Sequence, residues 1–300
     1  MLICGKKINP KFTSQRNTMT LSQFNILDAS IASKHLMDCC GSNQWVSSMM
    51  THFPFTSEKV LVDLSAKIWY DECGETDWRE SFTHHPKIGD VKSLTEKFAG
   101  KEQAGVAVAT IETIEALAEA NTDYENKFGF IFIVCATGKS ANEMLQILLD
   151  RLKNTLQEEL HIAMGEQQKI SIIRFKKLLT DGDFSFLKVS QITTHVLDTA
   201  VGLPGKNISI RLQAKINNSW QTISQGITNA DGRIPDLLPQ ERSLKPDTYK
   251  MVFDTGSYYA NQNLKTFYPE VEIQFSTFDE THYHVPLLIN PFGFNTYRGS

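Results

Sequence analysis

The spacing of apolar residues changes once along this chain, across residues 180–189, and the two halves on either side cannot share one kind of layer. Before the change, Val60, Leu61, Leu64 and Ile68 recur in three- and four-residue steps, the stripe of an amphipathic helix. Ser140-Ala141-Asn142-Glu143 has the form of a capping box and opens a helix carrying Leu145, Leu148, Leu149 and Leu152 on neighbouring turns. A further helix is expected from about Thr155 to Leu179. The run Phe130-Ile131-Phe132-Ile133-Val134 fits a strand or a buried helix, because periodicity does not separate the two. After the change the period is two. Ile208, Ile210 and Leu212 alternate with Ser209 and Arg211, and Val271, Ile273 and Phe275 alternate with Glu272 and Gln274. Turn signals divide these runs at Asn217-Asn218, Asn229-Ala230-Asp231-Gly232 and Lys245-Pro246-Asp247.

The fold class read from this pattern is multidomain: an all-α N-terminal domain followed by an all-β sandwich. Thr180-Asp181-Gly182-Asp183 is turn chemistry that ends the last helix. The expected organisation is a mobile leader over 1–20, a helical domain over 21–180, a linker over 181–189 and a β domain over 190–300. The linker is neither Pro-rich nor Gly/Ser-rich, so the two domains are expected to sit close together.

Composition narrows the class. Hydrophobic residues make up 41% and charged residues 21%, which argues against global disorder, and a net charge of −4 gives no general footprint for nucleic acid. No apolar run approaches the roughly 18 residues of a membrane span. Met1–Ile3 is too short for a signal-peptide core, and the ending is not a peroxisomal Ser-Lys-Leu address, so cytoplasm is the default location, with the peroxisome as the alternative. Cys4, Cys39, Cys40, Cys73 and Cys135 have neither zinc spacing nor a disulfide framework and read as free thiols, with Cys135 in the core.

Polar chemistry in the β half concentrates in Thr193-Thr194-His195-Val196-Leu197-Asp198, Asp231-Gly232-Arg233, His282-Tyr283-His284-Val285-Pro286-Leu287-Leu288 and Tyr297-Arg298-Gly299-Ser300. On a strand, His282 and His284 share a face and Tyr283 takes the other. The ordered blocks Thr193–Pro204, Asp231-Gly232-Arg233, His284–Leu288 and Tyr297–Ser300 resemble the signatures of the 5-hydroxyisourate hydrolases over about residues 190–300. The resemblance implies a transthyretin-like sandwich that assembles into homotetramers with active sites between subunits. It implies catalytic roles for His195, Arg233, His284 and Ser300, with Tyr297 and Arg298 binding substrate. Two histidines can activate water near neutral pH, and an arginine can stabilise developing negative charge. Which histidine is the base stays open, and His282 is the local rival. The competing class is a transthyretin-type carrier on the same fold. The resemblance also implies that the chain ends inside the site, so a C-terminal tag is expected to harm hydrolysis alone.

In the helical half, Ser81-Phe82-Thr83-His84-His85-Pro86-Lys87-Ile88-Gly89-Asp90 places His85 before a proline, which favours a turn at a helix mouth. A spaced helical His pair of the zinc-hydrolase kind is missing, and no metal is expected. Arg174 lies four residues after Ile170 and four before Leu178, so it faces inward if they do. Its partner is then either a protein carboxylate or a substrate carboxylate. His85-Pro86-Lys87-Ile88-Gly89, Glu102-Gln103-Ala104-Gly105, Phe128–Ile133 and Ile172-Ile173-Arg174 resemble the 2-oxo-4-hydroxy-4-carboxy-5-ureidoimidazoline (OHCU) decarboxylases over about residues 20–180. That resemblance implies a helical, cofactor-free, usually dimeric enzyme. It assigns catalysis to His85, Glu102 and Arg174 and binding to Pro86, Gln103 and the backbone around Ile131, Phe132 and Ile133. It also makes Phe130–Val134 mostly helix or an irregular binding segment. Ala99 departs from the family, which often has serine there.

Together the two resemblances imply consecutive reactions on small-molecule substrates, in the manner of the fused allantoin synthase family. 5-Hydroxyisourate is hydrolysed to OHCU, which is decarboxylated to S-allantoin. No cofactor, nucleic acid or membrane partner is expected, and a homo-oligomer is.

Overall fold

The computed structural model describes residues 18–85, 111–187 and 189–299. Helices fill the first half: α1 (Leu21–Asn25), α2 (Ala29–Cys40), α3 (Asn43–Met50), α4 (Glu58–Lys67), α5 (Glu75–Thr83), α6 (Ile111–Phe128), α7 (Ala141–Arg151) and α8 (Leu156–Leu178). A π-helical turn, Ile68–Glu72, continues α4. The expected stripe on α4 is present but rotated. Leu61, Val62, Ser65 and Ala66 are buried, while Val60 and Leu64 lie at its margin. Ser140 opens α7 with the capping box read from the sequence, its Oγ accepting from the Glu143 amide at 3.3 Å. Of the α7 leucines only Leu148 is fully buried, and Leu149 is exposed, because Ala141 and Met144 complete the inner face.

The long helix α8 organises the domain. Thr155 caps it and Leu178 is its last residue, within a residue of the expected span. It is buried nearly all round, the state of a helix enclosed on every side. Met164, Ile172 and Phe175 pack into a core with α1–α4, where Trp69 Nε1 donates to the Met164 carbonyl at 2.9 Å. Leu160 and Ala163 pack into a second core with α6, α7 and the segment 130–134. A further side meets the β domain and carries buried Glu166, while buried Gln167 and Gln168 bond to the Cys40 carbonyl of α2 and to Ser65 of α4. Phe130–Val134 is neither strand nor helix. It is irregular, which excludes the helix among the forms implied by the resemblance, and it is mostly buried.

The β domain comprises β1 (Ile192–Thr193), β2 (Val196–Asp198), β3 (Leu203–Pro204), β4 (Ser209–Ile216), β5 (Ser219–Ile227), β6 (Thr248–Phe253), the short helix α9 (Thr255–Ala260), β7 (Val271–Ser276), β8 (Tyr283–His284), β9 (Leu287–Asn290) and β10 (Gly293–Thr296). Two four-stranded sheets, in the orders β10-β9-β2-β3 and β5-β4-β6-β7, face one another over a core that includes Val196, Ile210, Leu212, Met251 and Leu287. Asn217 and Asn218, both at positive φ, turn the β4–β5 hairpin where the sequence places a turn. β2 runs parallel to β9, and β1 parallel to β8. These parallel pairs bring residues 193–195 beside 282–284, which are about ninety positions away in the chain.

Cys39, Cys40, Cys73 and Cys135 are buried free thiols, and burial pushes Cys39 and Cys73 up to about 12. Cys4 lies outside the described residues. No helix among the described residues is long and apolar enough to cross a membrane.

Candidate functional site

In the helical domain α5 ends at Thr83, and His84 and His85 follow as a turn, with the His85 amide donating to the Phe82 carbonyl at 3.3 Å. This is the helix-mouth position expected for a residue before proline. α2 ends opposite, at Gly41 with φ +86°, and a Cβ there would lie 2.8 Å from that of His84. Only glycine both turns the chain left-handed at this point and admits the histidine turn.

The last carbonyls of α2 have no helical partner and are taken by side chains of α8. Gln167 Nε2 donates to the Cys40 carbonyl at 3.2 Å, and Ser171 Oγ to the Cys39 carbonyl at 3.2 Å. Arg174 Nη1 donates to the same Cys39 oxygen at 3.0 Å, where the helix dipole also favours a cation. With its amide nitrogen thus engaged, Gln167 presents Oε1 to His85 Nε2 at 2.5 Å. His85 must therefore carry its proton on Nε2 and turn a bare Nδ1 towards Arg174 Nη2, 3.5 Å away. Burial and the Arg174 charge push the His85 pKa down to about 4, so the ring is neutral at physiological pH.

Arg174 is half-buried, as are Ile170 and Leu178, so the three mark the margin of the inner face and not its centre. Among the described residues Arg174 makes no ion pair, leaving a guanidinium with donors to spare. Phe132 and Ile133 are buried and Ile131 is half-buried. Phe132 turns its ring into the core against Tyr124 at 5.2 Å, so only backbone can face a ligand there. Arg151 Nη1 already occupies the Ile133 carbonyl at 2.6 Å. Pro86, Ala99, Glu102 and Gln103 lie outside the described residues. Sequence reasoning missed Gln167 and Ser171. The signal was available, since 167, 171 and 174 lie on successive turns of one helix face.

In the β domain the loop Asp231-Gly232-Arg233 presses against the start of β2. Val196 N donates to the Gly232 carbonyl at 2.9 Å. Gly232 has φ +69°, and a Cβ there would lie 2.3 Å from the Val196 oxygen. His195 and Arg233 are consequently bridged backbone to backbone, and Arg233 Nη2 donates to His195 Nδ1 at 3.2 Å. His195 is then a neutral ring with its proton on Nε2. His284, on β8, is bridged to Gly299. Thr193 Oγ1 lies 2.9 Å from His284 Nδ1 and 2.8 Å from His282 Nε2. A hydroxyl has one proton, so it donates to one of these rings and accepts from the other. The two rings share a face, 6.4 Å apart and within 16° of parallel.

Burial lowers the pKa of His195, and the Arg233 charge lowers it further. His284 is lowered by burial, then by Arg233, His282 and His195. The structure thus gathers His195, Arg233 and His284 into one electrostatic unit and ties His282 to it through Thr193. Tyr297 is exposed, and Arg298 lies over the Tyr283 ring at 5.3 Å, on the strand face away from His284. Ser300 lies outside the described residues. The arrangement suits water activation beside a cation. Among the described residues no group of three or more His, Cys, Asp or Glu side chains could hold a metal.

Comparison with known proteins places both halves. Residues 25–176, half of the chain, match the OHCU decarboxylase family, and residues 192–299 match the HIUase/transthyretin family. The uric acid degradation bifunctional protein TTL of Arabidopsis thaliana is 33% identical over 317 aligned positions, covering 87% of this chain and 96% of that protein. The 5-hydroxyisourate hydrolase of Mus musculus is 45% identical over 37% of this chain and 96% of its own length. A solved (S)-allantoin synthase is 23% identical across 94% of this chain and all of its own, with a TM-score of 0.41. An OHCU decarboxylase domain and a HIUase/transthyretin domain in one polypeptide make this chain a member of the family of bifunctional uric acid degradation proteins.

Proposed function

We propose that the chain is a bifunctional enzyme of urate breakdown. Its β domain hydrolyses 5-hydroxyisourate to OHCU, and its helical domain decarboxylates OHCU to S-allantoin. The observation that carries the reading is that each half sets a neutral histidine against an arginine, His195 with Arg233 and His85 with Arg174. In the β domain His195 or His284, unprotonated near neutral pH, takes a proton from water as it attacks the ring carbonyl. Arg233 binds the substrate oxygens and stabilises the oxyanion. Ser300, Tyr297 and Arg298 complete the pocket.

In the helical domain Arg174 binds the departing carboxylate or a ring oxygen. The electron pair left when carbon dioxide departs is delocalised into the imidazoline ring. His85 hydrogen-bonds the reacting group, and Glu102 delivers or orients the proton that quenches the carbanion on one face, giving the S product. Pro86, Gln103 and the Ile131–Ile133 backbone shape the pocket. The domain limits we propose are 21–180 and 190–300, and the assembly is built from hydrolase tetramers and decarboxylase dimers. Exposed Phe267, Phe292 and Phe294 on the β domain support an oligomer, which light scattering in solution tests.

The functional test supplies urate with urate oxidase and follows 5-hydroxyisourate by absorbance and S-allantoin by circular dichroism. Rapid decay with a chiral product is expected. Decay without a chiral product removes the decarboxylase, and neither change leaves a carrier on the same fold.

A further inference from the structure

The segment Ile131–Cys135 has neither a helix nor a strand to hold it, and its peptide groups are gripped by side chains. Arg151 Nη1 donates to the Ile133 carbonyl at 2.6 Å. Two residues on, the Cys135 amide donates to Glu166 Oε2 at 2.6 Å, and Lys139 Nζ donates to the Cys135 carbonyl at 3.0 Å. Every one of these grips leads into the β domain. Lys169 pairs with Glu166 at 2.6 Å and lies 3.5 Å from Asp236 Oδ2, while Lys139 Nζ lies 3.6 Å from that same oxygen. On the other side Arg151 Nε donates to Glu159 at 2.7 Å. Asn154 Nδ2 donates both to Glu159 at 2.8 Å and to Gln225 of β5 at 3.0 Å.

Asp236 is the member of this network whose place in the chain matters most. It lies three residues after Arg233, on the same loop. Its carboxylate is shared by the two ammonium groups that flank Cys135. The Glu166 and Lys169 side chains are only 10% and 11% exposed, so their charges act with little screening. Remove the Asp236 charge, and both ammonium groups lose the carboxylate they share, so Lys169 pulls harder on Glu166, whose Oε2 holds the Cys135 amide.

We propose that Asp236, contributed by the hydrolase domain, is a positioning residue of the decarboxylase site. It acts through Lys169, Lys139 and Glu166 to hold the Ile131–Cys135 backbone in its substrate-binding form. The inference rests on the reading above that the Ile131–Ile133 backbone meets the OHCU ring. It explains physically why the seam between the domains is charged: the β domain completes the neighbouring site.

The test is Asp236→Asn in the full chain. OHCU is supplied by excess separate 5-hydroxyisourate hydrolase, so that the chain's own first step does not limit. The expected result is a rise in KM for decarboxylation on the order of tenfold with a smaller change in kcat, since a misplaced binding segment weakens substrate binding first. Hydrolysis, measured directly on 5-hydroxyisourate, keeps its wild-type rate. The Cys135 amide exchanges its hydrogen faster, and Asp236→Glu restores both KM and exchange. Unchanged KM together with unchanged exchange overturns the link. Faster exchange with unchanged KM also overturns the proposal, locating the failure in the assumed ring contact of Ile131–Ile133. A wild-type chain that does not decarboxylate refutes the proposed function, while amide exchange still reads whether Asp236 holds the segment.

Discussion

Gly299→Ala isolates the contact between the Gly299–His284 backbone bridge and the His284 ring, which is proposed to take part in hydrolysis. Gly299 N donates to the His284 carbonyl at 3.0 Å, which seats the Gly299 α-carbon against the imidazole. An added methyl would lie 2.4 Å from His284 Cδ2, 3.1 Å from Cγ and 3.2 Å from Cβ. An ordinary contact begins near 3.4 Å, so the ring or the strand must give by about 1 Å. The ring is not free to do so, because its Nδ1 is hydrogen-bonded to Thr193 at 2.9 Å. A displacement of about 1 Å in a reacting group lowers rates on the order of a hundredfold, equivalent to about 2.7 kcal/mol of transition-state stabilisation. The backbone of Gly299 is not in the left-handed region, so alanine adds a methyl group without backbone strain. kcat/KM for 5-hydroxyisourate, from absorbance decay, should fall by about that factor. Decarboxylation of externally supplied OHCU should be unchanged. Hydrolysis within about threefold of wild type would refute the steric argument, since that is under 1 kcal/mol. A parallel fall in both activities would mean that the substitution unfolds the chain.

Arg174→Ala should abolish formation of S-allantoin while 5-hydroxyisourate still decays in the coupled urate oxidase assay, and His284→Ala should slow that decay while leaving decarboxylation of externally supplied OHCU at its wild-type rate. Because His85 is held down to about 4, the acid limb of decarboxylase kcat/KM that it governs should lie near pH 4, well below the ordinary histidine value of about 6.5. An acid limb near pH 6.5 would contradict the neutral, Nε2-protonated ring. The sign for stability follows from the same shift. Above about pH 6.5 His85 is neutral folded or unfolded, and as pH falls from there towards 4 only the unfolded chain gains the proton, so stability is progressively lost across that window. Its replacement by Asn should flatten that part of the profile of thermal midpoint against pH. Glu159→Gln leaves Arg151 buried without its charge partner, in a pair whose side chains are 2% and 0% exposed. A loss of about 3–5 kcal/mol in denaturant unfolding is expected, and a loss below about 1 kcal/mol would show that the Tyr124 hydroxyl and Ile133 carbonyl satisfy the guanidinium alone.

Much of the architecture was legible because local chemistry and global fold agree in it. Ser140 caps the helix its capping box announces, a helix opens at Thr155 as expected, Ile208, Ile210 and Leu212 alternate into the core, and Asn217-Asn218 turns a hairpin. These features depend on residues within a few positions of one another, so periodicity and capping rules reach them. Leu149 defeated the same rules, because which neighbouring leucines are buried depends on what packs against α7. The segment after Gly129 was undecidable for a related reason. It is held by Arg151, Lys139 and Glu166 side chains, and side-chain capture of a peptide leaves no period in the sequence.

The candidate sites divide along the same line. By itself the sequence determined that a helical and a β domain are joined, and through the two resemblances it nominated His85, Arg174, His195, Arg233 and His284 as candidate site residues. Tertiary structure alone decided their chemical state. Gln167 and the open carbonyls of α2 set the His85 tautomer, and Arg233 sets that of His195 across 38 residues of chain. Only the folded chain brings Asp236 of one domain to the lysines that flank a loop of the other. Protonation and positioning depend on distance and burial, which residues far apart in sequence acquire only when the chain is packed.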